Sequence, residues 1–444
     1  MKRQDLPSEE KYDNRISVIL LGAMFVFTIG TYTIETFMSS LKVEAVYLIV
    51  TVFILLMHYT ITKTKITIYR IEIFWFVFLL YFLFNIVFQG KFIKEYYVDI
   101  LAFGFIFLFL LLAKINIKYF IISIRIMLIF SILYAFSVLF QYFNMDLYSK
   151  IILPRFTDYE TEELLRLYRR GDLTGFSWQT AYIAGYMVYG IGIAILGLKK
   201  IKIKLFRIVV LLSLPIMGYS LFLANKRAHL LFMITALILT LLFSTETKRF
   251  SIQLLKIGTS IFIGATIIML LLSSNRTISE SPVGNIFNNI TETVEGVSTG
   301  QDITSGRIYL YEYAIDLFKE KPIFGIGWRK YSELSVGVIN VDRGSHPHNI
   351  YLQLLTELGL IGFILFMIPI ILFLVKTINL LMNYNRYFEG NPYWDFVLKF
   401  SLYVQFFFLL YGLTGNLLTD RLFLLMYVFA ISIIPSAIKY VKKV

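Results

Sequence analysis

Apolar runs of about 18 residues or more recur along most of this 444-residue chain, each long enough to cross ~30 Å of hydrocarbon. Such runs leave few folds open, because backbone polar groups in lipid have to be satisfied inside the membrane-crossing element. The expectation is an all-α, polytopic membrane protein. Hydrophobic residues make up 58% of the chain and charged residues 16%, a balance that excludes an ordinary soluble domain.

About twelve spans are predicted, at 17–36, 41–60, 71–89, 97–113, 119–141, 175–198, 206–224, 228–244, 254–274, 350–375, 397–416 and 421–438. The first run follows MKRQDLPSEEKYDNR and has no small-residue cleavage site after it, so no removable signal peptide is expected. Alternate loops are rich in cations: KTKITIYR, KINIK, KKIKIKLFR, TKRF and the terminal KYVKKV. That asymmetry puts both termini in the cytoplasm. The predicted organisation is a cytoplasmic tail over 1–16, a nine-span bundle over 17–274 with an outer loop at 142–174, a large extracytoplasmic loop over 275–349 containing short helices, and three closing spans with a cytoplasmic tail over 350–444.

Several function classes drop out. The chain has no cysteine, which removes disulfides, thiolate metal sites and cysteine nucleophiles. Its net charge of +13 gathers at helix ends rather than along one face, so membrane lipids and not nucleic acid are the expected partners. No Asp-x-Asp, Walker loop or complete GxGxxG is present, and no metal or cofactor is expected. The long outer loops follow spans five and nine, a layout that does not favour a transporter made of two six-helix halves.

The longest polar excursion, 304–362, carries the chemistry. In SGRIYLYEYAIDLFKE, Arg307, Tyr311, Ala314 and Phe318 share one helical face, with Pro322 ending the helix. An arginine in the first turn adds its charge to the positive end of the helix dipole, which suits an anion and above all phosphate. The alternative is an arginine reaching to headgroups. His346 and His348 stand in GSHPHNIYLQLLTELG at the start of a span that Asn349 can cap. Either imidazole suits a general base for a sugar hydroxyl, and either could instead hold a loop carbonyl. Lys226 and Arg227 sit at an outer boundary, where adjacent cations suit an anionic lipid-linked substrate or lipid headgroups. His229 reads as packing. The amphipathic stretch 155–172 sets Leu164, Leu165 and Tyr168 on one side as a lid or surface helix, with Arg166, Arg169 and Arg170 able to meet phosphate or acidic sugar.

The pattern Arg307…Pro322-Ile-Phe-Gly325-Ile-Gly327…His348-Asn349-Ile-Tyr351-Leu352…Glu357-Leu-Gly359-Leu-Ile-Gly362 resembles the signature of the bacterial O-antigen ligase and polymerase family. The motif covers about 60 residues, and Lys226-Arg227 extends the likeness over the second half of the chain. The resemblance implies a metal-independent glycosyltransferase in the cytoplasmic membrane, active on its outer face, taking an undecaprenyl-diphosphate-linked oligosaccharide donor and a glycan acceptor. It implies His348 as base, with Arg227 and Arg307 on the donor diphosphate. Lys226, His346, Asn349, Tyr311, Arg343 and Arg170 complete the candidate substrate contacts. Where relatives often carry Ser-Arg-Gly, this chain has Lys226-Arg227-Ala228. A polymerase joining lipid-linked repeats of a capsule, O-antigen or exopolysaccharide leads, with a flippase and a chain-length regulator as further candidate partners. A ligase acting on lipid A-core, and a flippase for lipid-linked sugars, are the alternatives.

Overall fold

The computed structural model describes residues 67–88, 94–112, 114, 116–197, 203–243, 307–338, 345–388, 391–418 and 420–442, with short pieces before 67. The predicted spans 17–36, 41–60 and 254–274, the first part of the 275–349 loop and Arg343 lie wholly or largely outside the described residues. Residues Thr33–Glu35 and Ser40–Lys42 pair as short antiparallel strands where the first predicted span ends and the second begins, a small exception to the all-α expectation.

The rest is helical: α1 (Arg70–Phe88), α2 (Lys94–Leu112), α3 (Ile117–Phe143), α4 (Met145–Ile151), α5 (Asp158–Arg169), α6 (Thr180–Gly197), α7 (Lys204–Leu223), α8 (Arg227–Leu242), α9 (Arg307–Glu320), α10 (Lys330–Leu334), α11 (Ile350–Met382), α12 (Tyr384–Phe388), α13 (Pro392–Tyr411) and α14 (Arg421–Val441). Among them α1, α3, α6, α7, α11, α13 and α14 are long and apolar enough to cross a membrane, and α8 is a shorter apolar helix. The protein is thus a multi-pass helical membrane protein.

Helix α6 is the hub, packed against α3, α7, α8, α13 and α14. Its glycines explain how: a Cβ on Gly192 would collide with the Tyr403 ring, and one on Gly190 with the Ser131 side chain. Tyr403 Oη then donates to the Val188 carbonyl at 2.9 Å. With no hydrophobic drive between helices in lipid, close approach over small residues supplies the packing.

Helix α11 is not continuous. Gly359 has φ 68 and ψ −174, which breaks the helix and frees backbone groups on both sides. The turn 322–327 fills the break. Ile326 N–H donates to the Thr356 carbonyl (2.8 Å), Gly327 N–H to Glu357 (2.9 Å), and Leu360 N–H to the Pro322 carbonyl (2.8 Å). Helix α1 completes the joint: Tyr81 Oη donates to the Leu358 carbonyl (2.7 Å), and Asn85 donates to Phe324 O (3.1 Å) while accepting from Trp328 N–H (3.2 Å). Non-helical backbone among apolar helices survives only when every freed group finds a partner, and here protein supplies them. Next to the joint, Asp99 of α2 takes the Arg329 guanidinium at 2.5 and 2.9 Å and the Trp328 indole N–H at 2.8 Å.

Two sequence expectations change. The span predicted at 397–416 is α13, which starts at Pro392 and stops at Tyr411, so residues 412–420 form a turn rather than membrane helix. The predicted span 175–198 begins only at Thr180, because Thr174–Gln179 is turn bound to Gln141 and Ser137 of α3.

Candidate active site

A cavity of about 440 Å³ opens among α5, the start of α8, the first turn of α9, the His348 loop and the 412–420 turn. Its wall includes Lys226, Arg307 and His348, joined by Asn416 and Asp420 from the turn and by Arg170 after α5.

His348 is brought here by backbone geometry. It has φ 52, a left-handed conformation tolerated by histidine better than by most residues, between Pro347 and the cap of α11. Asn349 is that cap, accepting from Tyr351 N–H (2.9 Å) and Leu352 N–H (3.1 Å). The Asn416 amide nitrogen, Nδ2, lies 3.1 Å from His348 Nδ1. Burial, helped by the charges of Arg307, His346 and Lys226, pushes the imidazole down to about 4. At neutral pH it is therefore uncharged and able to accept a proton.

The 412–420 turn seats the other groups too. Arg307 Nη1 donates to the Thr414 carbonyl and Tyr311 Oη to Leu413 O, both at a long 3.4 Å. Ile350 N–H donates to Gly412 O at 2.9 Å. The buried face of α9 holds Leu310, Ala314 and Leu317; of the predicted face of Arg307, Tyr311, Ala314 and Phe318, only Ala314 is fully buried, and Arg307 stands at the start of the helix beside that face. Lys226 follows Asn225, itself left-handed at φ 52, whose amide donates to Asp172 at 2.9 Å. Burial lowers the Lys226 ammonium, opposed by Asp172 and Asp420, with Arg307 lowering it further.

The two histidines part company. His346 is absent from the cavity wall and feels Arg329 and Asp99 instead; burial first, then Arg329, lowers its pKa. Arg227 is exposed as the first residue of α8 and is not part of the wall, whereas its neighbours Lys226 and Ala228 are. Asn349 serves as a helix cap and Tyr311 as a support to the turn.

Helix α5 closes the cavity. Thr157 and Glu160 form a capping box, and Leu164 and Leu167 are its buried contacts rather than the predicted Leu165. It is held on the cluster of Tyr148, Ile152 and Phe156, so it is a fixed wall within the fold. Sequence reasoning missed Asn416 because it carried the span through it, and passed over Asp420 in the short connection before the next span; the Gly412, Gly415 and Asn416 of YGLTGNLLTD are turn signals that could have ended the helix earlier. Glu163, Asp172 and Gln179 carried no periodic or motif signal.

The fold and the site together define a multi-pass membrane protein with a cationic cavity holding a neutral histidine. Residues 208–367 match the O-antigen ligase family model (Wzy_C), from α7 through the first part of α11. That match, over about a third of the chain, bears out the resemblance to the O-antigen ligase and polymerase family. No curated protein matches the chain.

Proposed function

We propose that this protein is a polysaccharide polymerase that joins undecaprenyl-diphosphate-linked oligosaccharides by metal-independent, inverting glycosyl transfer at the outer face of the cytoplasmic membrane. The observation that carries the reading is the convergence of His348, Arg307 and Lys226 on one cavity. The donor diphosphate lies against Arg307 and Lys226. The acceptor hydroxyl attacks the anomeric carbon from the opposite side of the ring, the carbon–oxygen bond to phosphate breaks, and the proton passes to His348. One displacement inverts the centre. Charge grows on the departing diphosphate, where fixed cations stabilise it most. The cation-rich loops supply the orientation, with both termini cytoplasmic.

His348 can accept that proton on Nε2 only if Nδ1 already carries one, and the Asn416 amide decides this. In the structure Nδ2 faces Nδ1 at 3.1 Å, which favours the Nε2–H tautomer; the base role requires the amide turned end for end, with Oδ1 toward Nδ1, to hold the Nδ1–H tautomer. Asn416→Asp places a carboxylate against Nδ1 and should raise the His348 pKa from about 4. The acid limb of kcat/KM then moves to higher pH. A limb that stays in place would dissociate Asn416 from the histidine.

The primary test uses purified protein, a defined undecaprenyl-diphosphate oligosaccharide and EDTA, with products resolved on a gel. A ladder of lengthening glycans supports the polymerase. One product that needs an added acceptor makes the protein a ligase, and lipid movement across liposomes without product makes it a flippase. Arg307→Ala should lower kcat/KM by on the order of 2–4 kcal/mol, roughly 30- to 1,000-fold. A loss under threefold would remove Arg307 from the diphosphate.

A further inference from the structure

The cavity has two chemically different sides, and the mechanism above uses only one. On that side Lys226 and Arg307 face Asp420, and Asp172, at the seam between the two sides, opposes Lys226 as well. On the α5 side, Arg166 is paired with Glu163, with Arg170 and the neutral amide of Gln179 beside them. The arginine Arg166 is held fork to fork by Glu163, at 2.8 Å from Nε and 2.5 Å from Nη2. The Glu163 carboxyl is kept below its usual range mainly by this bond, so the pair stays ionised at neutral pH. The paired Arg166 and Glu163 offer no net charge to a second phosphate or an acidic sugar.

This side is also fixed in place relative to the diphosphate side. Leu173 N–H donates to the Leu223 carbonyl at 2.9 Å, and Asn225 bonds Asp172, so the end of α5 is tied to the corner that carries Lys226. A diphosphate fills a small fraction of about 440 Å³. The remaining wall offers fixed donors and acceptors side by side. That combination fits sugar hydroxyls, each of which donates and accepts at once.

We infer that the α5 side is a glycan subsite, in which Glu163, Arg166, Arg170 and Gln179 hold a neutral, hydroxyl-rich sugar ring while the diphosphate occupies the Lys226–Arg307 side. The inference rests on the reading of the cavity as a glycosyl-transfer site, and it replaces the phosphate or acidic-sugar role expected of the α5 arginines from sequence. Glu163, Arg166 and Gln179 would then set which repeat unit is accepted.

The test measures two affinities of the purified full-length protein. One probe is the pool of free oligosaccharides released by mild acid from the native cell's lipid-linked glycans; the other is undecaprenyl diphosphate. Arg166→Ala and Gln179→Ala should each weaken the oligosaccharide ~10- to 100-fold and leave the diphosphate lipid within about twofold. Retained diphosphate binding also certifies that the variants fold. Arg307→Ala should do the reverse. Oligosaccharide binding should survive a tenfold rise in salt, because screening weakens ion pairs and not neutral hydrogen bonds. Loss of diphosphate binding in the α5 variants, unchanged oligosaccharide binding, or strong salt dependence would each overturn the inference. Wild-type protein that binds neither probe would instead overturn the glycosyl-transfer reading beneath it.

Discussion

His348→Ala should abolish polymer formation, with kcat/KM falling by roughly 10²- to 10⁴-fold, the usual worth of a positioned general base. Binding of undecaprenyl diphosphate should survive, since Arg307 and Lys226 remain and one source of buried polarity is gone. The pH profile gives a sharper check. A free histidine would lose half its base form near 6.5, but burial and the neighbouring cations hold His348 down to about 4. Lowering pH protonates the base only as it approaches that value, so kcat/KM, which reports the free enzyme, should stay level from pH 8 to about 5 and then fall. A half-point near 6.5 would mean that His348 is not the group being read. Activity that persists in His348→Ala would move the base elsewhere. The same substitution at His346, which faces Asp99 and Arg329 rather than the cavity, should keep activity at neutral pH and, by removing one charge that lowers His348, move the acid limb only toward higher pH.

Gly359→Ala should cost the protein its fold. The residue sits at φ 68 and ψ −174, a region open essentially to glycine alone, and a Cβ there would lie inside the Ile323 carbonyl oxygen. Relief would require the 322–327 turn to back out of the α11 break, which unmakes the bonds of Ile326, Gly327 and Leu360 together. Each buried group left unpaired costs about 1–3 kcal/mol, so the sum rivals the whole stability of a domain. Expression of a fluorescent fusion, followed by size-exclusion chromatography in detergent, should show the monodisperse peak lost. Gly218→Ala is the control: no atom lies within 4 Å of its added Cβ, so that peak should persist. A stable Gly359→Ala protein would mean that the joint can reshape without cost.

These two residues show how differently the motif's letters were readable. Gly325, Gly327 and Gly359 stood out as a spacing, yet their reason is a meeting of two backbones some 30 residues apart. Gly325 at φ 74 leaves no room for a Cβ against the Glu357 backbone, which no local pattern announces. Glu357, also in the signature, is wholly buried and accepts from Gln353 at 3.1 Å, inside the packing and away from the cavity wall. Arg307 was legible as the opening of one helix, but its buried face was read about one position off: Leu310, Ala314 and Leu317 are buried where Arg307, Tyr311, Ala314 and Phe318 were expected to share a face. The histidines were not separable by sequence. Two residues apart, they are sent to opposite surroundings by the left-handed backbone of His348, a choice made by the loop's contacts.

The sequence by itself determined that the chain is a bundle of apolar helices, where most of those helices begin and end, and which polar segment carries the chemistry. Length, hydropathy and helical period are local properties, and lipid leaves no competing way to satisfy the backbone. Only the tertiary structure decided that the turn after α13 belongs to the site, that Lys226 rather than Arg227 lines the cavity, and that α5 brings the Arg166–Glu163 pair to its wall. Those outcomes depend on where separate helices come to rest, through contacts such as Asn416 to His348 and Asn225 to Asp172 that join residues more than 50 positions apart.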